Sequence, residues 1–339
     1  MESLKKSLVL LLISSFCTVV AQTDAETAEL KFNDALLFMG NGEMARGRSL
    51  LREAIAIDGT EGCYPYELAL SYYVEEDFRA AARILEDRIS RNGTAGVEFY
   101  LLLGNCRAMQ GDTEGAAGAY DDGLKGYPQS GALFLEKGNL QRGGGHLARA
   151  LTNYESGIEA EPRFAMNYFR AAQACLAMGK DARAMVYAET FINLEHGDPR
   201  SATAARLLQD IYGRYVEHGR GAKSGADNGQ YYGGKVSFER LVAIDMGGSA
   251  RKAHRLGLGQ LSEIRTRFVR DYYAKGHNTV HREPLFDYLK EVLDAGHMEA
   301  YNHWLLSPID PQEFKLWKSH HPQEWAAFSD WIGLEGTVR

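Results

Sequence analysis

The residues best suited to chemistry in this chain are its histidines, seven of ten of which lie after residue 250. His277 and His281 stand four apart, a spacing that on a helix puts both imidazoles on one face and suits zinc. Gly276, Asn278 and Thr279 around them point to a loop instead. His297 and His303 are six apart and face different sides of one helix. His320 and His321 are adjacent before Pro322, in what reads as an exposed turn, and no HExxH occurs.

The nucleophile and phosphate signatures are all incomplete. Gly247-Gly248-Ser249-Ala250 lacks the closing glycine of a G-x-S-x-G elbow, and no strand precedes it. Gly143-Gly144-Gly145 is not followed by the Lys-Ser/Thr pair of a phosphate loop, and Gly257-Leu258-Gly259 lacks the third glycine of a dinucleotide fingerprint. Asn92-Gly93-Thr94 spells a glycosylation sequon, which matters only in a eukaryotic secretory pathway. With Cys17 set aside in the apolar N-terminal segment, Cys63, Cys106 and Cys175 are odd in number and widely spaced, with no CxxC pair, and read as structural thiols. No metal, cofactor or catalytic constellation is expected.

What positions these residues is a repeat. Ala35, Ala69, Gly104, Gly138 and Ala172 recur every 34 or 35 residues, and Gly47, Ala81, Ala116, Ala150 and Ala184 keep the same intervals. Between the two columns runs a third, Gly42, Glu76, Gly111, Gly145 and Gly179. Glycine suits a helix C-terminus, where the chain turns through a left-handed conformation. Each unit therefore reads as helix, turn, helix, with small residues where the two helices meet. Leu51, Leu85, Tyr120 and Tyr154 make a larger column on the second helix, and Pro128 and Pro162 close two units at the same phase. One hairpin cannot bury its apolar face, so neighbours must stack.

On these residues the chain resembles the tetratricopeptide repeat family. The third unit reads Tyr100, Leu103, Gly104, Ala116, Tyr120, Pro128, and the fourth reads Phe134, Gly138, Ala150, Tyr154, Pro162. Gly59, Gly93 and His196 stand where the other units would have the proline. The resemblance covers about Ala28 to Gly197 and implies an all-α fold, a right-handed superhelix of about five repeats. It further implies a concave face lined by the first helix of each unit, at that helix's second, fifth, ninth and twelfth positions. Carried over, these are Tyr66, Leu70 and Tyr73, then Leu101 and Asn105, then Leu135, Asn139 and Arg142, and finally Phe169, Gln173 and Leu176. As a groove, the aromatics would give flat apolar contact, the Asn and Gln amides would clamp a peptide backbone, and Arg142 would hold a carboxylate. Asn at that place also serves the repeat itself by bracing neighbouring helices.

The ends of the chain are different. Lys5 and Lys6 precede an apolar run, and Val19-Val20-Ala21 fits a signal-peptidase site, so residues 1–21 are expected to be a signal peptide with Gln22 as the new N-terminus. The run from Leu8 to Ala21 is 14 residues, short of the ~20 needed to span a bilayer. Export to the periplasm, or secretion, follows as an expectation.

The repeats with a capping helix from Asp198-Pro199 fill 28–216, a glycine-rich linker fills 217–235, and a helical C-terminal domain fills 236–339. All four tryptophans lie in that last part. Between Arg220 and Glu283 there are 12 basic and 6 acidic residues, and Arg265, Arg267 and Arg270 read as a solvated helix face or a docking patch for an acidic partner or anionic membrane.

A net charge of −7 with a pI near 5.8 argues against a general nucleic-acid binder. The function expected is a non-enzymatic adaptor for a protein or peptide partner. Two alternatives stay open: a C-terminal hydrolase using the histidines with Asp287 and Glu299, and a structural subunit of an envelope assembly.

Overall fold

The computed structural model describes residues 24–92, 95–221, 237–250 and 257–333. The expected signal peptide, Gly93 and Thr94 of the sequon, and most of the glycine-rich segment lie outside the described residues. Every regular element among the described residues is helical, with no strand. The architecture is an all-α repeat array followed by further helices.

Five helical hairpins carry the repeats. They pair 24–40 (α1) with Met44–Ile57 (α2), Cys63–Val74 (α3) with Phe78–Asn92 (α4), and Val97–Met109 (α5) with Thr113–Gly126 (α6). Gly131–Gly143 (α7) and Leu147–Ala160 (α8) follow in sequence, and Ala165–Ala177 (α9) pairs with Asp181–Leu194 (α10). All ten positions of the two small-residue columns are buried, so helix contact is what they serve. A side chain built at Gly104 would run into the Tyr120 ring, and one at Gly47 would meet the Ala35 carbonyl. Leu51, Leu85, Tyr120 and Tyr154 are each at most 1% exposed, and the first three cluster with Leu68, Phe99 and Leu133 of the hairpin that follows each.

The turn column behaves as its composition requires. Gly42, Gly111, Gly145 and Gly179 all have φ between +70° and +87°. Each turn repeats one pattern, in which the left-handed residue's N–H bonds three residues back and the next N–H bonds five back. Gly111 donates to the Ala108 carbonyl at 3.0 Å and Asp112 to the Arg107 carbonyl at 2.9 Å, which satisfies carbonyls the helix end leaves unpaired. Glu76 takes the same conformation at φ +63°, the one such non-glycine among the described residues. A side chain there costs about 1–2 kcal/mol relative to glycine.

The chain forms two compact units that divide within α7, one up to Leu140 and one from Gln141. In the first, small clusters follow one another along the helices, from Ala28, Ala54 and Tyr64 through Ala35, Leu51 and Leu68 to Phe99, Leu103 and Cys106.

In the second unit, α8 to α10 continue into Ser201–Gly221 (α11), Phe238–Ala250 (α12), Leu258–Ala274 (α13), Pro284–Asp294 (α14), Met298–Leu306 (α15), Pro311–His320 (α16) and Pro322–Ile332 (α17). Helix α11 starts at Ser201 rather than at Pro199, because the Asp198 carboxylate turns back to accept the Arg200 N–H at 2.7 Å. It runs on through 217–221 and packs on both α10 and α12. The expected helices at Pro284, Pro311 and Pro322 all begin at those prolines.

Two outcomes test this account. Glu76→Gly is expected to raise stability by about 1 kcal/mol, by removing the left-handed cost, and thermal melts followed by circular dichroism measure it. Gly104→Ala is expected to lower the melting temperature because the Tyr120 ring cannot move aside. Gly118→Ala, in open space on α6, should raise it, since alanine is the better helix former by about 1 kcal/mol.

Candidate functional site

In the first unit the first-helix residues singled out by the sequence share an accessible character, except Leu135 of α7, which is 8% exposed and belongs to the core rather than to a groove. Tyr66, Leu70 and Tyr73 on α3, Leu101 and Asn105 on α5, and Asn139 on α7 are all half-buried. The tyrosines are anchored from below: Tyr66 meets Phe99 edge-on at 5.6 Å and Tyr73 meets Phe78 at 5.3 Å. The amides have intramolecular work as well. Asn105 Oδ1 accepts the Tyr120 hydroxyl at 2.6 Å, which ties α5 to α6, and Asn139 Nδ2 donates to Glu136 at 3.3 Å. Asn105 is thus a brace between helices, with its Nδ2 outside that bond.

The second unit treats its four differently, with only Leu176 and Gln173 half-buried. Arg142 is exposed near the end of α7. Phe169 is only 5% exposed and packs on Phe191 at 5.0 Å. It fills the core between α9 and α10 and offers no open aromatic face. Gln173 is half-buried and accepts a hydrogen bond from Arg170 at 2.9 Å.

The basic segment near Arg265 is not a surface throughout. Arg265 is 2% exposed, so it belongs neither to a solvated face nor to a docking patch. Its guanidinium makes a two-armed ion pair with Glu189 of α10, itself 1% exposed. The same guanidinium donates to the Asn302 amide oxygen at 2.6 Å and to the Tyr212 hydroxyl. Tyr301 donates to Glu189 at 2.8 Å and pairs with Asn193, while Asn302 Nδ2 donates to Ser262 Oγ at 3.1 Å.

Burial alone would lower the affinity of Arg265 for its proton, but the Glu189 carboxylate outweighs this and raises it. Burial drives the Tyr301 hydroxyl far above the usual range and keeps it a donor. One connected network therefore joins α10, α11, α13 and α15. Periodicity marks Arg265 only as a break in the apolar stripe of α13, and nothing in the sequence pairs it with a residue 76 positions earlier.

The other ionisable groups are also committed to structure. Glu239 of α12 accepts the Ala182 and Arg183 N–H groups at 2.7 and 3.1 Å, so it closes the first turn of α10 from another helix. Asp245, 1% exposed, takes Lys275 Nζ at 2.6 Å and His277 Nδ1 at 2.7 Å. His277 lies in a short 3-10 turn, in keeping with the loop expected there.

Asp287 accepts from the Tyr273 hydroxyl at 2.6 Å, and Glu299 from Trp317 Nε1 at 3.1 Å. His303 and His321 both stack on the Trp317 indole, at 4.5 and 4.9 Å, so His321 is packed rather than in a free turn. Residues 247–250 are helical, which excludes a strand-to-helix elbow there. Cys63, Cys106 and Cys175 are free, and burial pushes the last two up to about 12, leaving them protonated. Among the described residues no group of three His, Cys, Asp or Glu is placed to hold a metal, and no helix is long and apolar enough to cross a membrane.

Fold and turn geometry define a helical-hairpin repeat protein. Residues 66–131 match the tetratricopeptide repeat family model, and this part of the chain is built of tetratricopeptide repeats. No curated protein matches it by sequence. Among solved structures it is similar to pilF of Pseudomonas aeruginosa, at 16% identity and a TM-score of 0.46, over 60% of this chain and 95% of that one. A tetratricopeptide repeat protein from Parabacteroides merdae is 12% identical with a TM-score of 0.44, over 79% of this chain and 98% of the other. YrrB, described as a TPR protein with an unusual peptide-binding site, is 18% identical at 0.38, over 53% and 92%.

The buried network generates a stability test. Arg265→Met leaves the Glu189 carboxylate buried without its ion-pair partner and is expected to cost about 3–5 kcal/mol. The double variant Glu189→Met/Arg265→Met should cost less than either single change. Urea unfolding followed by tryptophan fluorescence reads this unit, since Trp304, Trp317, Trp325 and Trp331 all belong to it.

Proposed function

We propose that this protein is a non-enzymatic adaptor that binds a peptide or protein segment on the first-helix face of its N-terminal repeats. The observation that carries the reading is the series Tyr66, Leu70, Tyr73, Leu101, Asn105 and Asn139, half-buried side chains contributed by three successive first helices. Tyrosines held at one edge by Phe99 and Phe78 keep the rest of the ring for a partner at little cost in side-chain entropy. Amides at Asn105 and Asn139 supply donors and acceptors at the spacing of the repeat. The leader-like residues 1–21 support action outside the cytoplasm, in the cell envelope.

The test replaces Tyr73 and Asn139 by alanine together, leaving Asn105 to brace Tyr120. Crosslinking with mass spectrometry in the native cell should recover a partner with the unaltered protein, and recovery should fall at least tenfold with the double variant at an unchanged circular dichroism spectrum. Undiminished recovery of the same partner would remove this face from consideration.

A further inference from the structure

A second recess in the first unit lies between α2 and α4, on the side of α3 that carries Pro65, Leu68 and Tyr72. Its volume is about 550 Å³, within the ~300–1,000 Å³ typical of ligand clefts. The floor is apolar, with Leu68, Tyr72 and Ile84, and the rim carries Arg52 of α2 and Arg83, Arg88 and Arg91 of α4 against one carboxylate, Asp87. Arg52 and Arg83 are exposed. Their hydrogen bonds go to neutral oxygens, the Tyr72 hydroxyl for Arg52 and the Arg79 carbonyl at 3.4 Å for Arg83.

The surroundings repeat the bias. Helices α2 and α4 together hold seven arginines, no lysine and three acidic residues, in a protein whose net charge is −7. Arginine throughout matters, because its planar fork matches a carboxylate with two parallel bonds, as an ammonium does not. A row of lysines would be the cheaper way to hold positive charge at a surface. The recess therefore presents forked cations around a hollow apolar floor. A flat anionic membrane would touch the rim and leave the floor empty, and a nucleic-acid backbone has no apolar group to fill it.

We infer that this recess is a second docking site, for an acidic peptide segment that seats an apolar side chain on Tyr72 and Ile84 while its carboxylates bridge Arg52 and Arg83. It is independent of the face proposed above, since Tyr73 and Asn139 take no part in it.

The experiment uses the whole protein and a fluorescein-labelled peptide, Glu-Glu-Leu-Glu-Glu-Phe-Glu-Glu, followed by anisotropy. Binding is expected to weaken at least tenfold when glutamine replaces every glutamate in the peptide. Arg52→Gln/Arg83→Gln should weaken it at least tenfold at an unchanged circular dichroism spectrum, and affinity should fall as salt rises from about 50 to about 500 mM. Tyr73→Ala/Asn139→Ala should leave it unaltered. The inference is overturned if the acidic peptide fails to bind, if the glutamine peptide binds as well, or if the arginine variant binds as tightly. Tighter binding of phosphatidylglycerol vesicles or poly(dT) than of the acidic peptide would also overturn it, and would reassign the recess to a membrane or a nucleic acid.

Discussion

The close approach of the two helices within each hairpin is the constraint on which the rest depends. Alanine or glycine at two facing columns lets the backbones come together, and a left-handed residue at the turn lets the chain reverse at once. The large residues Leu51, Leu85 and Tyr120 then pack between one hairpin and the next. Because these requirements fall inside each unit, the outward side of every first helix is free to vary. Tyr66, Tyr73 and Asn139 sit at such positions, and this is why a scaffold can keep its fold while its surface is specialised.

Beyond the repeats a different logic takes over. The helices that follow α10 are held by directed polar bonds as well as by apolar packing. Arg265, Glu189, Tyr301 and Asn302 leave few of one another's donors and acceptors unused, and Glu239 supplies acceptors that the first turn of α10 lacks. A buried pair of this kind contributes little net stability compared with well-packed apolar residues, but it penalises any arrangement in which the partners fail to meet. The hairpin of α14 and α15 also reuses the turn of the repeats, since Gly296 has φ +80° and His297 bonds back to Val292 at 3.0 Å.

Much of this was legible in the residues themselves. Spacing alone located the hairpins, the buried columns and the left-handed turn, down to Glu76 as the odd member. Proline and glycine marked the ends of α14, α16 and α17. Tertiary pairing was not legible. Local pattern cannot say that Phe169 turns inward onto Phe191, that Arg265 meets a carboxylate 76 residues away, or that two imidazoles stack on Trp317. The basic recess between α2 and α4 was equally hidden, because its arginines are scattered in sequence and converge only when the second helices of successive units lie side by side.

The long reach of the Glu189 and Glu239 contacts bears on biosynthesis. Repeat arrays ordinarily consolidate hairpin by hairpin, each on the one already made. Here α10 emerges from the ribosome with a carboxylate destined for the interior and an unfinished first turn, and the residues that complete both are still to be translated. The fifth hairpin therefore reaches its final form only after Tyr301 has been added, so the nascent chain matures at this point from its C-terminal side backwards.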